Sequence, residues 1–152
     1  MKKSIVIGCD HAGFKMKQFI ISKLQEEGYS VEDKGTYSED SVDAGEFAIK
    51  VCEDVSSHLD EKFGILICGT GIGMSMMANK VKGIRASLVS DLFSAQMTRA
   101  HNDANVLCMG ARIFSENMVW EFTKIWLNTE HLGGKYTKRV EAMMNYQNAH
   151  YK

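Results

Sequence analysis

The densest chemistry in the sequence is the run Cys68-Gly69-Thr70-Gly71-Ile72-Gly73-Met74-Ser75. Alternating glycines let a backbone turn tightly and bring its N–H groups close to a ligand. A helical pattern begins at once behind them, and a helix start presents unpaired N–H groups and a partial positive charge. Together these features favour an anion. The run has no P-loop lysine, and G-x-G-x-G is not the dinucleotide pattern, so nucleotide binding is weakly supported. Cys68 opens the turn, where a helix start favours thiolate over thiol. A thiolate beside N–H donors can take a proton next to a carbonyl while the donors hold the oxyanion. The same arrangement suits nucleophilic attack by sulfur, and residue chemistry alone leaves both open.

Other residues could share such a site. Asp10-His11 follows the first apolar run, where a histidine can donate to a phosphate or carry a proton and Asp10 can cap a helix. His101 sits in Arg99-Ala100-His101-Asn102-Asp103 at the end of a helical pattern, as an acid–base group or a complement to the helix dipole. Arg112 follows the last apolar run, and Lys135, Lys138 and Arg139 follow Gly133-Gly134 as a small basic cluster. His58, His131 and His150 have no motif around them and receive no role. Met74, Met76 and Met77 read as core or interface packing, and Trp120 and Trp126 likewise as packing.

These residues are strung along a regular alternation. Apolar, β-branched runs at 4–9, 30–33, 63–68, 84–89 and 105–109 read as strands. Amphipathic stretches at 12–27, 47–59, 72–81, 92–101 and 116–127 read as helices, followed by a last helix over 136–149. Strand–helix repetition predicts an α/β fold, a three-layer α/β/α sandwich with a five-stranded parallel Rossmann-like sheet and a C-terminal helical tail. In such sheets ligands bind beyond the carboxyl ends of the strands. That places Asp10-His11, 34–45, 68–75, Ser90-Asp91 and 110–112 on one rim.

Composition narrows the classes. The 152 residues fit one domain over 1–152. Net charge is −1, so no basic field invites nucleic acid. No apolar run approaches a membrane span, and the amino-terminal run meets Asp10 and His11 too soon for a signal peptide. Cys9, Cys52, Cys68 and Cys108 form no C-x-x-C pair, so zinc and thioredoxin-type motifs are disfavoured. Free thiols in a reducing, cytoplasmic setting are expected.

Taken together, the motifs resemble the ribose-5-phosphate isomerase B and galactose-6-phosphate isomerase family. Gly8-Cys9-Asp10-His11-Ala12-Gly13-Phe14 is similar to its opening motif and Gly64-Ile65-Leu66-Ile67-Cys68-Gly69-Thr70-Gly71-Ile72-Gly73 to its central one. Ala78-Asn79-Lys80, Gly83-Ile84-Arg85-Ala86, His101-Asn102-Asp103-Ala104-Asn105-Val106 and the stretch from Gly133-Gly134 to Arg139-Val140-Glu141 match in order and spacing. The resemblance implies an aldose–ketose isomerase of phosphorylated sugars that uses neither metal nor cofactor. It implies Cys68 as the base between C1 and C2, Thr70 at the sugar oxygens, and the N–H groups of Gly69, Gly71, Ile72, Gly73, Met74 and Ser75 around an enediolate. His101 would open the sugar ring, Asp10 and Asn102 would hold sugar oxygens, and His11, Arg112, Lys135 and Arg139 would hold phosphate. It also implies a homodimer whose sites are shared between chains, with dimers pairing into tetramers in some members. A branch that replaces the cysteine with a later glutamate does not fit Ile72-Gly73-Met74.

Two departures bear on the sugar. The family usually carries Asp-Tyr-Pro where this chain has Asp43-Ala44-Gly45, and the chain has no proline at all. Val42-Asp43-Ala44 is closer to one galactose-6-phosphate isomerase subunit, a type without the active cysteine. Lys135 stands where an arginine is common, keeping the charge but losing the bidentate fork. Ribose 5-phosphate to ribulose 5-phosphate is the leading reaction, and a 6-phosphohexose such as allose or galactose 6-phosphate is the alternative. A non-catalytic sugar-phosphate-binding subunit is disfavoured by the intact Cys68, Thr70 and His101. A flavodoxin-like redox or signalling domain would need a flavin-shaped loop or an acidic phosphorylation site, and neither can be assembled.

Overall fold

The computed structural model describes residues 2–152. Five strands, β1 (Ser4–Cys9), β2 (Val31–Asp33), β3 (Lys62–Cys68), β4 (Ala86–Leu88) and β5 (Val106–Gly110), form one sheet in the order β2-β1-β3-β5-β4. Every pairing is parallel. Around it lie α1 (Phe14–Glu26), α2 (Ala44–Ser57), α3 (Ile72–Ala78), α4 (Leu92–Ala100), α5 (Glu116–Leu127) and α6 (Lys135–His150).

Strand side chains alternate between faces, and each central strand feeds two cores. Ile5, Ile7, Cys9, Ile65, Ile67, Leu107 and Met109 pack beneath α1 and α5, where Trp120 and Trp126 are buried as expected. Val6, Leu66, Cys68, Val106 and Cys108 face α2 and α3. Both faces are covered, which is why the strand runs read as continuously apolar. Leaving β1, the chain builds β2 on one side and later β3 on the other. The direction therefore reverses between β1 and β3, the crevice where α/β sheets bind ligands.

Several element ends differ from the sequence reading, each for a local reason. The helix expected from 12 begins with a short 3-10 turn, His11–Gly13, before α1. The helix expected from 47 begins at Ala44, because Asp43 Oδ1 accepts from Gly45 N–H at 2.9 Å. The helix expected to reach 81 stops at Ala78, where the Asn79 amide pairs with both backbone groups of Ala86 at 2.9 Å. The strand expected over 84–89 shortens at its start because Arg85 N–H donates to Asn105 Oδ1 instead. Of the three methionines expected in core or interface packing, Met74 is core, whereas Met76 is 66% exposed and Met77 also reaches solvent. A seven-residue helix turns a single face to the sheet, and Met76 lies outside it. Among the described residues no helix is long and apolar enough to cross a membrane.

Candidate active site

The Cys68 run leaves β3 at the carboxyl end of the sheet and turns into α3. Gly71, in the left-handed region at φ 80°, makes the turn. A Cβ there would meet Leu88 Cδ1 at 2.7 Å and the Met109 backbone at 2.9 Å. The next strand is cut away to match, since a Cβ on Gly110 would meet the Thr70 backbone at 2.8 Å. The turn is therefore pressed against β5 as bare backbone. Its register is fixed by Ala111 N–H and Arg112 N–H, which donate to the carbonyls of Cys68 and Gly69 at 2.8 and 2.9 Å.

That packing aims Cys68 at the rim. Gly71 N–H donates to Cys68 Sγ at 3.1 Å, and Ile72 N–H donates to Thr70 Oγ1 at 3.2 Å. The sulfur is mostly covered, whereas Thr70, Ile72 and Gly73 are exposed beside it. Met74 is fully buried, so it can offer a ligand only its backbone. The other three cysteines belong to the interior. Burial pushes the Cys9 thiol up to about 11 and the Cys52 thiol up to about 12. Burial also pushes Cys108 well above the ordinary range, with the neighbouring Cys52 and Cys68 sulfurs adding to it. All four are free, as expected from their spacing.

Asp10 and His11 reach the same rim from β1. Asp10 Oδ1 accepts from Gly13 N–H at 3.2 Å, which caps the 3-10 turn and leaves its second oxygen outside that bond. Val42 N–H donates to His11 Nδ1 at 3.2 Å, so the ring proton belongs on Nε2. His11 thus presents a donor nitrogen, the form an anion needs. Arg112 lies across Gly69, with its Cδ and one terminal nitrogen 3.1 Å from where a Cβ would stand. Cys68, Thr70, Asp10, His11 and Arg112 are thereby gathered at one end of the sheet.

The remaining expected residues are not there. His101 caps the end of α4, and Ala104 precedes the amino end of β5. β5 climbs about 13 Å from there to Gly110. His101 and Asn102 therefore stand at the opposite end of the sheet from Cys68, and one chain cannot bring them together. They have their own neighbours. The His101 and Tyr136 rings stack at 4.0 Å between centroids and 6° between planes. Lys135 Nζ and the Arg139 guanidinium lie over the same Tyr136 ring, at 5.2 and 5.3 Å. Asn102 lines a cavity of about 440 Å³ with Thr98, Ser87 and Met143.

Three supporting residues escaped the sequence reading. Tyr136 had a signal in its spacing, since it lies between Lys135 and Arg139 on adjoining turns of one helix. Asp103 holds the loop after His101, accepting from Arg99 at 2.8 Å and Arg85 at 3.3 Å. Its φ of 48° is one that aspartate tolerates better than most residues. Lys17 is fully buried, donating to Asp33 Oδ1 at 2.5 Å and to the Thr36 carbonyl at 2.7 Å. It steadies the strand-end loop whose Gly35 and Thr36 hydrogen-bond Cys9. A lysine on the apolar stripe of an amphipathic helix was the available cue. His131 also acquires a role, bridging the Ala100 carbonyl at 3.1 Å and Thr137 Oγ1 at 3.3 Å and so docking the start of α6 against the end of α4.

Known proteins with this architecture carry a consistent description. A family model described as ribose/galactose isomerase matches residues 5–143. Ribose-5-phosphate isomerase B of Escherichia coli is 43% identical over 93% of this chain and 94% of its own. The ribose-5-phosphate isomerase B structure from Clostridium thermocellum superposes with a TM-score of 0.93 at 40% identity, covering 96% of this chain and 98% of that one. The Mycoplasma genitalium enzyme, solved with bound ribulose-5-phosphate, superposes at 0.94 with 35% identity, covering 97% and 98%. On the extent and identity of these matches, the chain belongs to the ribose/galactose isomerase family.

Proposed function

We propose that this protein interconverts ribose 5-phosphate and ribulose 5-phosphate, with Cys68 as the base. The observation that carries the reading is a single sulfur reaching a rim of backbone N–H groups while the other three thiols are buried as neutral packing. In the open-chain aldose, Cys68 Sγ takes the proton from C2. The C–H electrons form the C1–C2 double bond, and the carbonyl electrons move onto O1. The N–H groups of Gly73 and Met74 hold that enediolate, since donors already in place cost no reorganisation as charge develops; those of Gly71, Ile72 and Ser75 are already given to Cys68 Sγ, Thr70 Oγ1 and the Gly71 carbonyl. Thr70 Oγ1 relays a proton from O2 to O1, and the sulfur, whose proton exchanges with solvent while the enediolate lasts, delivers a proton to C1 to complete the ketose.

The phosphate falls to His11 Nε2 and Arg112 from one side, and to Lys135 and Arg139 from the other. Those two sides lie at opposite ends of one chain, so the complete site takes two copies, with His101 and Asn102 of one facing Cys68 of the other. An exposed apolar surface supports this. Ile72, Met76, Leu88, Leu92 and Phe93 lie open on α3, the edge strand β4 and the start of α4, with Leu88 against the Gly71 turn. Patches of this kind mark protein contacts. Free cysteines and a small phosphorylated substrate fit a cytoplasmic homodimer, with pairing of dimers a further step.

The test is made in deuterated water. Wild-type protein should convert ribose 5-phosphate to ribulose 5-phosphate with solvent deuterium entering at C1, and Cys68→Ala should do neither. Binding of the sugar phosphate with neither conversion nor exchange in the wild type would instead make the chain a binding subunit. Mixing inactive Cys68→Ala with inactive His101→Asn should restore about a quarter of the wild-type activity, since half of the reassembled pairs then hold one intact site. No recovery after exchange of subunits would place each site within one chain.

A second reading rests on the rim at 42–45. Val42 N–H bonds His11, and the two residues after Asp43 are Ala44 and Gly45, so the aromatic ring and proline usual in the family are missing from this segment. Loss of that aromatic favours a different sugar such as a 6-phosphohexose, and kcat/KM for allose and galactose 6-phosphates against ribose 5-phosphate separates the two.

A further inference from the structure

We infer that Tyr136 is a positioning residue that sets the His101 imidazole for opening the sugar ring; this rests on the ring-opening role proposed for His101. The motivating geometry is the parallel stack, 4.0 Å between centroids and 6° between planes. His101 is half-exposed at the end of α4, where a side chain on its own would sample several rotamers. Tyr136 closes one face of the imidazole and leaves its edge, where both nitrogens lie, free.

The platform is itself anchored. Tyr136 opens α6 and is half-buried. The helix start is tied to α4 by Leu132 N–H to the Ala100 carbonyl at 2.9 Å and by the His131 bridge to Thr137. Val140, one turn further on, is buried. A ring held at the start of an anchored helix can fix a neighbour; a ring on a free loop could not. Lys135 and Arg139 also lie over the Tyr136 ring, but on exposed, flexible side chains of their own, so gripping phosphate does not need the His101 stack.

Ring opening breaks the C1–O4 bond of the furanose while one proton passes from the anomeric hydroxyl to O4. An imidazole that accepts the first proton and supplies the second needs its edge within hydrogen-bond reach of both oxygens, so a tilt of the ring is costly. Proton transfer by Cys68 begins only afterwards and asks nothing of His101.

The two steps can be read apart on sugars of equal length. Ribulose 5-phosphate carries phosphate on the oxygen that would close a five-membered ring, so it is already open. Wash-out of its C1 proton into deuterated water therefore reports Cys68 chemistry alone, whereas turnover of ribose 5-phosphate also needs the ring step. Tyr136→Leu should lower kcat for ribose 5-phosphate roughly tenfold while wash-out from ribulose 5-phosphate stays within about twofold. Tyr136→Phe, which keeps the stack, should restore ribose turnover. Equal loss in both assays would make Tyr136 a general structural residue and overturn the proposal. So would no loss in either assay, or a Phe variant as poor as Leu. His101→Asn serves as the separate control. If it lowers both assays equally, the ring-opening role of His101 fails; if it lowers ribose turnover alone while Tyr136→Leu does not, only the role of Tyr136 fails.

Discussion

The two ends of the sheet are built from different materials. At the carboxyl end the centre of the surface is backbone, a turn with no room for a Cβ at Gly71, pressed onto Gly110 of the neighbouring strand, with Cys68, Asp10, His11 and Arg112 around it. At the amino end it is side chain: stacked rings, guanidinium groups and ion pairs. A backbone surface is rigid and indifferent to pH and salt, and it suits holding charge that develops in a reaction. A side-chain surface is adjustable and charged, and it suits gripping a phosphate and moving protons on a sugar ring. A site drawing on both gains the two properties without compromise in either end of one chain.

The largest break in that comparison is at the sulfur. Cys68→Ala should reduce kcat by at least about a thousandfold while sugar-phosphate binding persists, since it removes the proposed base and leaves the cations in place. Steady-state kinetics with calorimetric binding checks both halves. Gly71→Ala attacks the backbone itself. A methyl at φ 80° that also overlaps Leu88 and the Met109 backbone should cost about 4 kcal/mol in stability. Denaturant unfolding measures it, and a neutral result would mean that the turn has room to move.

Legibility in the sequence followed the same division. The five strands, the parallel sheet and the Cys68 turn are local patterns: apolar runs, glycine spacing and a helix start. They were readable because each depends on residues adjacent in the chain. The amino-end cluster depends on contacts between α4 and α6, more than thirty residues apart, as with His101 and Tyr136. No periodicity announces such a stack. Asp103 and Lys17 were opaque for the same reason, since the sequence shows a charge but not the partner that makes it useful. The helix ends that differed were set by side-chain bonds across the chain, such as Asn79 to Ala86.

Lys17 sharpens the contrast, because it brings an ion pair to the backbone-built end, its own side chain fully buried and Asp33 partly open to solvent. Lys17→Met removes the cation, leaving the buried Thr36 carbonyl without its Lys17 donor and Asp33 with the Gly35 N–H in place of an ion pair. It should cost about 3 kcal/mol of stability. It should also raise KM more than it lowers kcat, because the loop it steadies bonds Cys9 and lies next to Asp10-His11, not next to sulfur. A loss confined to kcat would mean that this loop acts on the proton transfer itself.

The smallest effect is one of pH, and it belongs to the charged end. Asp54, late in α2, takes hydrogen bonds from Lys62 at 2.8 Å and meets Lys34 at 3.1 Å. Burial alone would raise its value, but the two lysines outweigh that and lower it from 3.8 to about 2. A carboxylate depressed in the folded state contributes stability that is present above its unfolded value and lost as pH falls through the folded one. Thermal midpoints should therefore be flat from pH 7 to about 4 as far as this group is concerned, then fall between about 4 and 2. Asp54→Asn should lower the midpoint at pH 7 by an amount worth less than about 1 kcal/mol, as for partly solvated pairs, and flatten the acid limb. High salt should mimic the substitution, since Lys34 is open to solvent and screened. Gly71→Ala should respond to neither pH nor salt, because what it disturbs carries no charge. Parallel salt dependence in the two variants would mean that the ends of the sheet are coupled through the core rather than built independently.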